Sequence, residues 1–229
     1  MPSTIAERLQ ATLLSITHAA ERAQRPADDI QLLAVSKTKP VSDIMLAYAA
    51  GQRHFGENYV QEGVNKVAEL THLSDLVWHF IGPLQSNKSA LVAKNFSWCH
   101  TVERNKIAQR LNDQRPTDLP PLNVCIQINI NEEASKSGIL PAELPELAEF
   151  VDSLPHLTLR GLMAIPKADQ SEAELQQTFL HLNTLFTQLQ SRYASVDTLS
   201  MGMSGDCELA IACGSTMVRV GTGIFGARQ

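Results

Sequence analysis

Cysteine is scarce in this sequence: Cys99, Cys125, Cys207 and Cys213 are the only four in 229 residues, and no two stand in a C-x-x-C spacing. That pattern offers neither a zinc site nor a disulfide framework. No apolar run reaches the roughly 18 residues that would span a bilayer, and Met1 to Glu21 reads as an amphipathic helix, not a signal peptide. A membrane protein and a secreted one are thereby set aside, leaving the cytoplasm as the expected compartment. An excess of positive charge is also missing. Lys and Arg number 19 against 24 Asp and Glu, a net charge of −5, which argues against a general nucleic-acid binder. Finally, no Ser/Gly-rich linker or charge run divides the chain, so residues 1–229 are expected to form one domain.

What is present is a rhythm of alternating elements. Hydrophobic residues make up 44% and charged residues 19%, enough for a substantial buried core. Residues 3–24 carry Ile5, Leu9, Leu13 and Ile16 at helical spacing, and Arg25-Pro26 ends that helix. Strand signals follow over 30–35, 53–56, 76–81, 98–102, 123–130, 157–163, 198–201 and 217–220. Helical patterns separate them over 41–50, 60–70, 89–95, 104–114, 143–154, 171–193 and 206–213. Eight strands alternating with helices, in a length near the ~250 residues usual for the fold, predict a (β/α)₈ TIM barrel with an extra helix before strand 1. A doubly wound open sheet is the alternative, because alternation alone does not show closure.

The stretch that organises the rest is Leu32–Pro40. An apolar strand runs into Lys37, and Pro40 stops it three residues later. An ammonium at the end of a buried strand is costly unless it is paired or does chemistry. Desolvation favours the neutral amine, which forms a Schiff base with an aldehyde. From this stretch alone, a lysine that merely leaves the core and reaches for water is the favoured reading, and the far end of the chain reverses it. Other strand ends add to it. Asn58 follows the second strand, Ser204 lies in Met201–Asp206 after the seventh, and Arg219–Gly226 forms a glycine-rich run after the eighth. Gly221 and Gly223 let backbone approach a ligand, and Thr222 adds a hydroxyl. Barrels often hold phosphate in the loops after strands seven and eight, where Ser204 and Thr222 stand. A phosphorylated aldehyde, held by an imine at one end and backbone amides at the other, is the ligand this arrangement implies.

These residues carry a resemblance. Ala34–Lys39, Phe55–Glu62, Trp78–Gln85, Ser135–Gly138, Gly161–Pro166, Leu199–Ser204 and Gly214–Gly226, spread in order over nearly the whole chain, resemble the YggS/PROSC family of pyridoxal 5′-phosphate homeostasis proteins. That family is similar in fold to the barrel domain of alanine racemase. The resemblance implies that Lys37 forms the Schiff base with pyridoxal phosphate and that Ser204, Gly221 and Thr222 hold its phosphate. It implies that Arg219 meets either the pyridine nitrogen or the phosphate, the nitrogen being favoured. An arginine does not give up its proton, so it would keep that nitrogen neutral and weaken the ring as an electron sink. Asn58 is expected near the phenolic oxygen, and Met201 either packs on the ring or is ordinary core.

A two-base racemase needs an acid/base on each face of the substrate carbon, and Lys37 supplies one. His79, ahead of Phe80 and Ile81, reads as a satisfied interior histidine. Related racemases carry a second, β-rich domain, and Gln229 comes only three residues after Gly226, which leaves no room for one. The expectation is therefore a monomeric, non-catalytic carrier that buffers pyridoxal phosphate and delivers it to apo enzymes that use it. A slow pyridoxal-phosphate-dependent racemase is the alternative, and a protein merely stabilised by the cofactor a third reading. Lys39, directly before Pro40, is a weak rival for the aldehyde. Lys136, in the loop after strand five, is either a solvated lysine or an aid to cofactor exchange. Glu57, Glu62 and Lys88 read as charges on solvated faces, and Trp78 and Trp98 as core.

Overall fold

The structure, a computed structural model, describes residues 4–132 and 137–227. Eight parallel strands follow one another around a closed ring: β1 (Gln31–Val35), β2 (His54–Glu57), β3 (Val77–Phe80), β4 (Trp98–Val102), β5 (Leu122–Gln127), β6 (Leu157–Met163), β7 (Thr198–Met203) and β8 (Met217–Val220). Closure comes from β8 pairing with β1, Leu33 lying opposite Arg219. The open sheet is thus excluded, and the barrel expected from alternation is the one observed.

Nine α-helices are described: α1 (Ile5–Arg22), α2 (Val41–Ala49), α3 (Val60–Glu69), α4 (Ser89–Asn95), α5 (Asn105–Gln114), α6 (Leu144–Asp152), α7 (Glu172–Gln190), α8 (Cys207–Ala212) and α9 (Thr222–Phe225). Helix α1 precedes the first strand and begins with a reciprocal cap, in which Thr4 N–H donates to Glu7 and Glu7 N–H to the Thr4 hydroxyl. Its buried face, Ile5, Leu9 and Ile16, packs toward α8 and α9. Arg8 and Arg25 fasten it by donating to the carbonyls of Ile224, Ile211 and Ser215. Strand β5 stops at Gln127, short of the expected 130, because the returning chain takes its backbone groups: Ile139 N–H donates to Gln127 and Asn129 N–H to Ile139. Among the described residues no helix is long and apolar enough to cross a membrane.

The main apolar core lies between the ring and its helices, where outward residues such as Ala34, Phe55, Phe80, Val124 and Leu199 are buried. Inside the ring the apolar filling is split. Leu33, Ile81 and Met217 form one cluster, and Trp98, Cys125 and Met163 another. The interior also holds polar side chains, His79, His100, Ser200 and Arg219, all buried. Their hydrogen bonds lead to the site.

Candidate functional site

At the C-terminal ends of the strands lies a cavity of about 300 Å³ lined by Val35, Lys37, Asn58, Ile81, Ile165, Met203, Ser204, Gly205, Arg219, Gly221 and Thr222. Lys37, Asn58, Ser204, Arg219, Gly221 and Thr222, from four separate stretches of sequence, are brought together here. Lys37 is half-buried; the preceding Ser36 is fully buried, and Thr38 after it adopts a left-handed backbone with φ 63°. A neighbouring cavity of about 290 Å³ shares Asn58, Ile81 and Ile165 and adds Pro83, Thr101, Gln127 and Ser137.

Arg219 is the interior group of the site. Its Nη1 donates to the Ser200 carbonyl at 2.7 Å and the Ser200 hydroxyl at 2.8 Å, and Nη2 donates to the Ala164 carbonyl at 2.9 Å. Burial lowers its pKa to about 10, so it remains a cation at neutral pH without any carboxylate in hydrogen-bond contact among the described residues. These bonds hold the guanidinium below the rim, whereas Ser204 and Thr222 are exposed on it. Asn58 Oδ1 is buried without a hydrogen-bond partner among the described residues. A buried amide end left unpaired in a cavity wall is satisfied by a ligand atom or at a cost of about 1–3 kcal/mol. An amine, an orphaned amide, a buried cation and two polar rim loops around one cavity fit a small phosphorylated aldehyde with a polar ring.

Met201 does not belong to this wall. It is fully buried in the main core behind the ring, and Met203 lines the cavity instead. Leu199 faces the helices and Ser200 the interior, so alternation turns Met201 outward with Leu199. A bulge then brings Met203 in, because Ser200 pairs with Met217 but Met203 with Arg219, with Gly202 at φ 94° absorbing the extra residue. Alternation along the strand is broken there, and Met203 turns inward. Of the other lining residues not anticipated, Val35, Ile81 and Ile165 each stand at or just after a strand end, which is the one signal that would have found them. His79 is satisfied core, as its sequence position indicated, hydrogen-bonded to His54 at 3.0 Å and His100 at 2.9 Å. Burial pushes His79 well down and His100 down to about 3, so both are neutral imidazoles. Trp78 and Trp98 are buried.

The reading of Glu57 and Glu62 as solvated charges is corrected. Glu57 is fully buried, held by Lys66 at 2.8 Å and the Ser36 hydroxyl at 2.6 Å, and its own pKa is raised by that burial. Glu62 joins the same group through Lys66 at 2.6 Å. Glu57 looks outward from the ring toward α3, which carries both Glu62 and Lys66, and Lys66 supplies the counter-charge to the two acids. Lys39 turns away to the Ala227 carbonyl at 3.0 Å and does not line the cavity. Lys136 lies outside the described residues.

A closed parallel ring with a strand-end lysine above a buried strand-eight arginine defines an alanine-racemase-type barrel. The family model described as "Alanine racemase, N-terminal domain" matches residues 12–229. The alanine racemase of Clostridium difficile shares this fold at a TM-score of 0.74 over 96% of this chain and 57% of its own, with 17% identity. Within that class the chain belongs to the pyridoxal phosphate homeostasis protein family. Proteins of that name from Escherichia coli K12 and Pseudomonas aeruginosa are 58% and 54% identical to it, over 98% and 99% of this chain and 97% of each relative. The Synechococcus elongatus protein PipY, 41% identical over 97% of this chain and 100% of its own, has been solved without and with pyridoxal phosphate bound, at TM-scores of 0.85 and 0.79.

Proposed function

We propose that this chain binds pyridoxal 5′-phosphate reversibly in the cavity at the top of the barrel and holds it for other proteins without turning anything over. The observation that carries the reading is the placing of Lys37 and Arg219 in one cavity wall, with Ser204, Gly221 and Thr222 on its rim. Lys37 Nζ, as the neutral amine, makes the C=N bond to the aldehyde carbon, and its two protons leave with the carbonyl oxygen as water. Arg219 donates from below the rim to the ring nitrogen, a role supported by its depth at Ser200 and Ala164. Asn58 meets the phenolic oxygen. Ser204, Gly221 and Thr222 receive the phosphate, as rim loops after the last two strands suit. When bound, the cofactor supplies an electrophilic, electron-withdrawing ring; an arginine at its nitrogen keeps that capacity low.

Two features favour a holder over a racemase. Among the described residues lining the two cavities, Lys37 carries the one amine, and no carboxylate or imidazole stands with it. His79, the other candidate, has both ring nitrogens engaged by histidines. The proposal extends to one pyridoxal-phosphate-binding domain, residues 1–229, acting as a monomer in the cytoplasm and serving apo enzymes that need the cofactor. Lys136 is proposed to assist exchange, and a Lys136→Ala variant that releases cofactor at the unaltered rate removes that role. Borohydride reduction of the cofactor-loaded protein and peptide mapping test the centre of the reading. The pyridoxyl group is expected on Lys37, and a label elsewhere overturns it. L-amino acids incubated with the loaded protein are expected to keep their chirality, and racemisation that disappears in Lys37→Ala would replace the holder by an enzyme. Mixing loaded protein with an apo enzyme is expected to activate that enzyme.

A further inference from the structure

Behind the barrel wall, on the far side of β1 and β2 from the cavity, Lys66 of α3 is buried at 5% exposure. Its ammonium has three hydrogens and three acceptors: the Ser36 carbonyl at 2.7 Å, Glu57 Oε1 at 2.8 Å and Glu62 Oε1 at 2.6 Å. Glu62 Oε1 also accepts from the Thr38 N–H at 2.6 Å, and Glu57 Oε1 from the Ser36 hydroxyl.

Ser36 and Thr38 flank Lys37. The Ser36 carbonyl belongs to the peptide group entering the Lys37 Cα, and the Thr38 N–H to the peptide group leaving it. The two soft rotations of Lys37 lie between these groups. Both groups are tied to one ion pair, Lys66–Glu62, so the backbone angles of Lys37, and with them the direction of its Cα–Cβ bond, are held from behind the wall. The tether also holds a shape the chain would not keep by itself, since Thr38 is a β-branched residue at φ 63°, in a region that costs non-glycine residues roughly 1–2 kcal/mol.

Stability is a poor reason for this cluster. Buried ion groups are often replaceable by apolar side chains without loss, and this one leaves Glu57 Oε2 buried without a hydrogen-bond partner among the described residues. What an apolar substitute would lack is a grip on the two peptides at Lys37.

We propose that Lys66, Glu62 and Glu57 form a positioning clamp that fixes the backbone of Lys37 and so aims its amine at the aldehyde bound in the cavity. The clamp rests on Lys37 being the aldehyde-capturing residue, as proposed above. It acts on the C=N bond-forming step through geometry alone, since atoms placed an ångström off line can slow a reaction by up to about 10²-fold.

The test uses the full chain and pyridoxal phosphate. Wild type, Lys37→Ala, Glu62→Ala, Glu62→Gln and Lys66→Met are compared by the rate and extent of imine absorbance and by the lysine labelled on borohydride reduction. Glu62 is partly exposed, so Glu62→Ala folds even if Lys66→Met does not. Glu62→Ala is expected to form the imine at least about tenfold more slowly or weakly, because Thr38 N–H loses its acceptor. Glu62→Gln keeps an acceptor oxygen at the same place and is expected to stay within about twofold of wild type. A general loosening of the fold would not separate these two variants when their unfolding midpoints are alike. Wild-type imine formation by Glu62→Ala, or equal impairment of Glu62→Gln, overturns the clamp while leaving Lys37 as the capturing residue. Failure of wild type to label at Lys37 overturns both readings together.

Discussion

Arg219 and His100 meet on a single oxygen, Ser200 Oγ, at 2.8 Å from the arginine Nη1 and 3.1 Å from the histidine Nδ1. Arginine only donates, so the hydroxyl accepts from Arg219. His100 Nδ1 is the one other partner of Ser200 Oγ among the described residues, and the hydroxyl proton, which needs an acceptor in a buried place, is assigned to it. His100 then carries its proton on Nε2 and gives it to His79 Nδ1, and His79 in turn donates from Nε2 to His54 Nδ1. One tautomer therefore follows from the next along the barrel interior.

This polarity is directly visible by NMR. The ring nitrogens of His54, His79 and His100 are expected to show the Nε2–H form at pH 7, with Nδ1 as acceptor. Removing the hydroxyl in Ser200→Ala is expected to free the choice of tautomer at His100. An Nδ1–H signal from His79 or His100 in the wild type contradicts the assignment.

The same histidines set a pH dependence. Their pKa values in the folded chain lie below the ordinary 6.5, His100 at about 3, because burial disfavours the imidazolium. Between those values the unfolded chain binds more protons than the folded one, so stability is full above pH ~6.5 and is lost as pH falls through the window. His79 and His100 together are expected to lower the unfolding free energy by about 2–3 kcal/mol as the pH falls from 7 to 5.5. Glu57, whose carboxyl is raised by burial, works in the opposite sense and makes the fall shallower. Urea unfolding at the two pH values measures the difference, and a flat profile contradicts neutral burial.

Gly82 is where two loops of the site touch backbone to backbone. A Cβ there would lie 1.9 Å from the Asn58 carbonyl oxygen and 2.8 Å from its Cα. Main chain does not rotate out of the way as a side chain does, so Gly82→Ala must displace Asn58. A loss of about 1–3 kcal/mol in stability is expected, with weaker cofactor binding. Gly205→Ala, where the added carbon meets nothing within 4 Å, is the control and is expected to be as stable as wild type.

The rim loops are expected to read the phosphate. Comparing pyridoxal with pyridoxal 5′-phosphate isolates that contribution, and the combined Ser204→Ala and Thr222→Val variant is expected to lose about tenfold or more of the preference for the phosphorylated form, since a hydrogen bond to a charged group is worth about 1.5–3 kcal/mol. An unchanged ratio places the phosphate elsewhere.

How far the sequence foretold this molecule depended on which forces were local. The barrel was readable because each strand and helix announces itself over a few residues, and six cavity residues were found because strand ends are where barrels do their work. Of the two places open to Met201, ring or core, strand parity with Leu199 gives the core, and the inward turn of Met203 stayed hidden because the bulge at Gly202 is a property of pairing with β8, invisible along one strand. Glu57 and Glu62 were misread because their partner Lys66 is nine and four residues away, and only the packing of α3 on β1 and β2 takes the group out of water. The histidine series was hidden for the same reason. His54, His79 and His100 stand on three neighbouring strands, and only the ring brings their imidazoles into contact.

The pairing of β8 with β1 has a consequence for a protein proposed to take up and release its cofactor. A sheet with two ends shows a row of bare amides and carbonyls onto which another chain can zip, and emptying such a protein often makes it sticky. A circle has no such seam. Among the described residues each strand of the ring has a neighbour on both sides, so the barrel offers no strand border by which to aggregate.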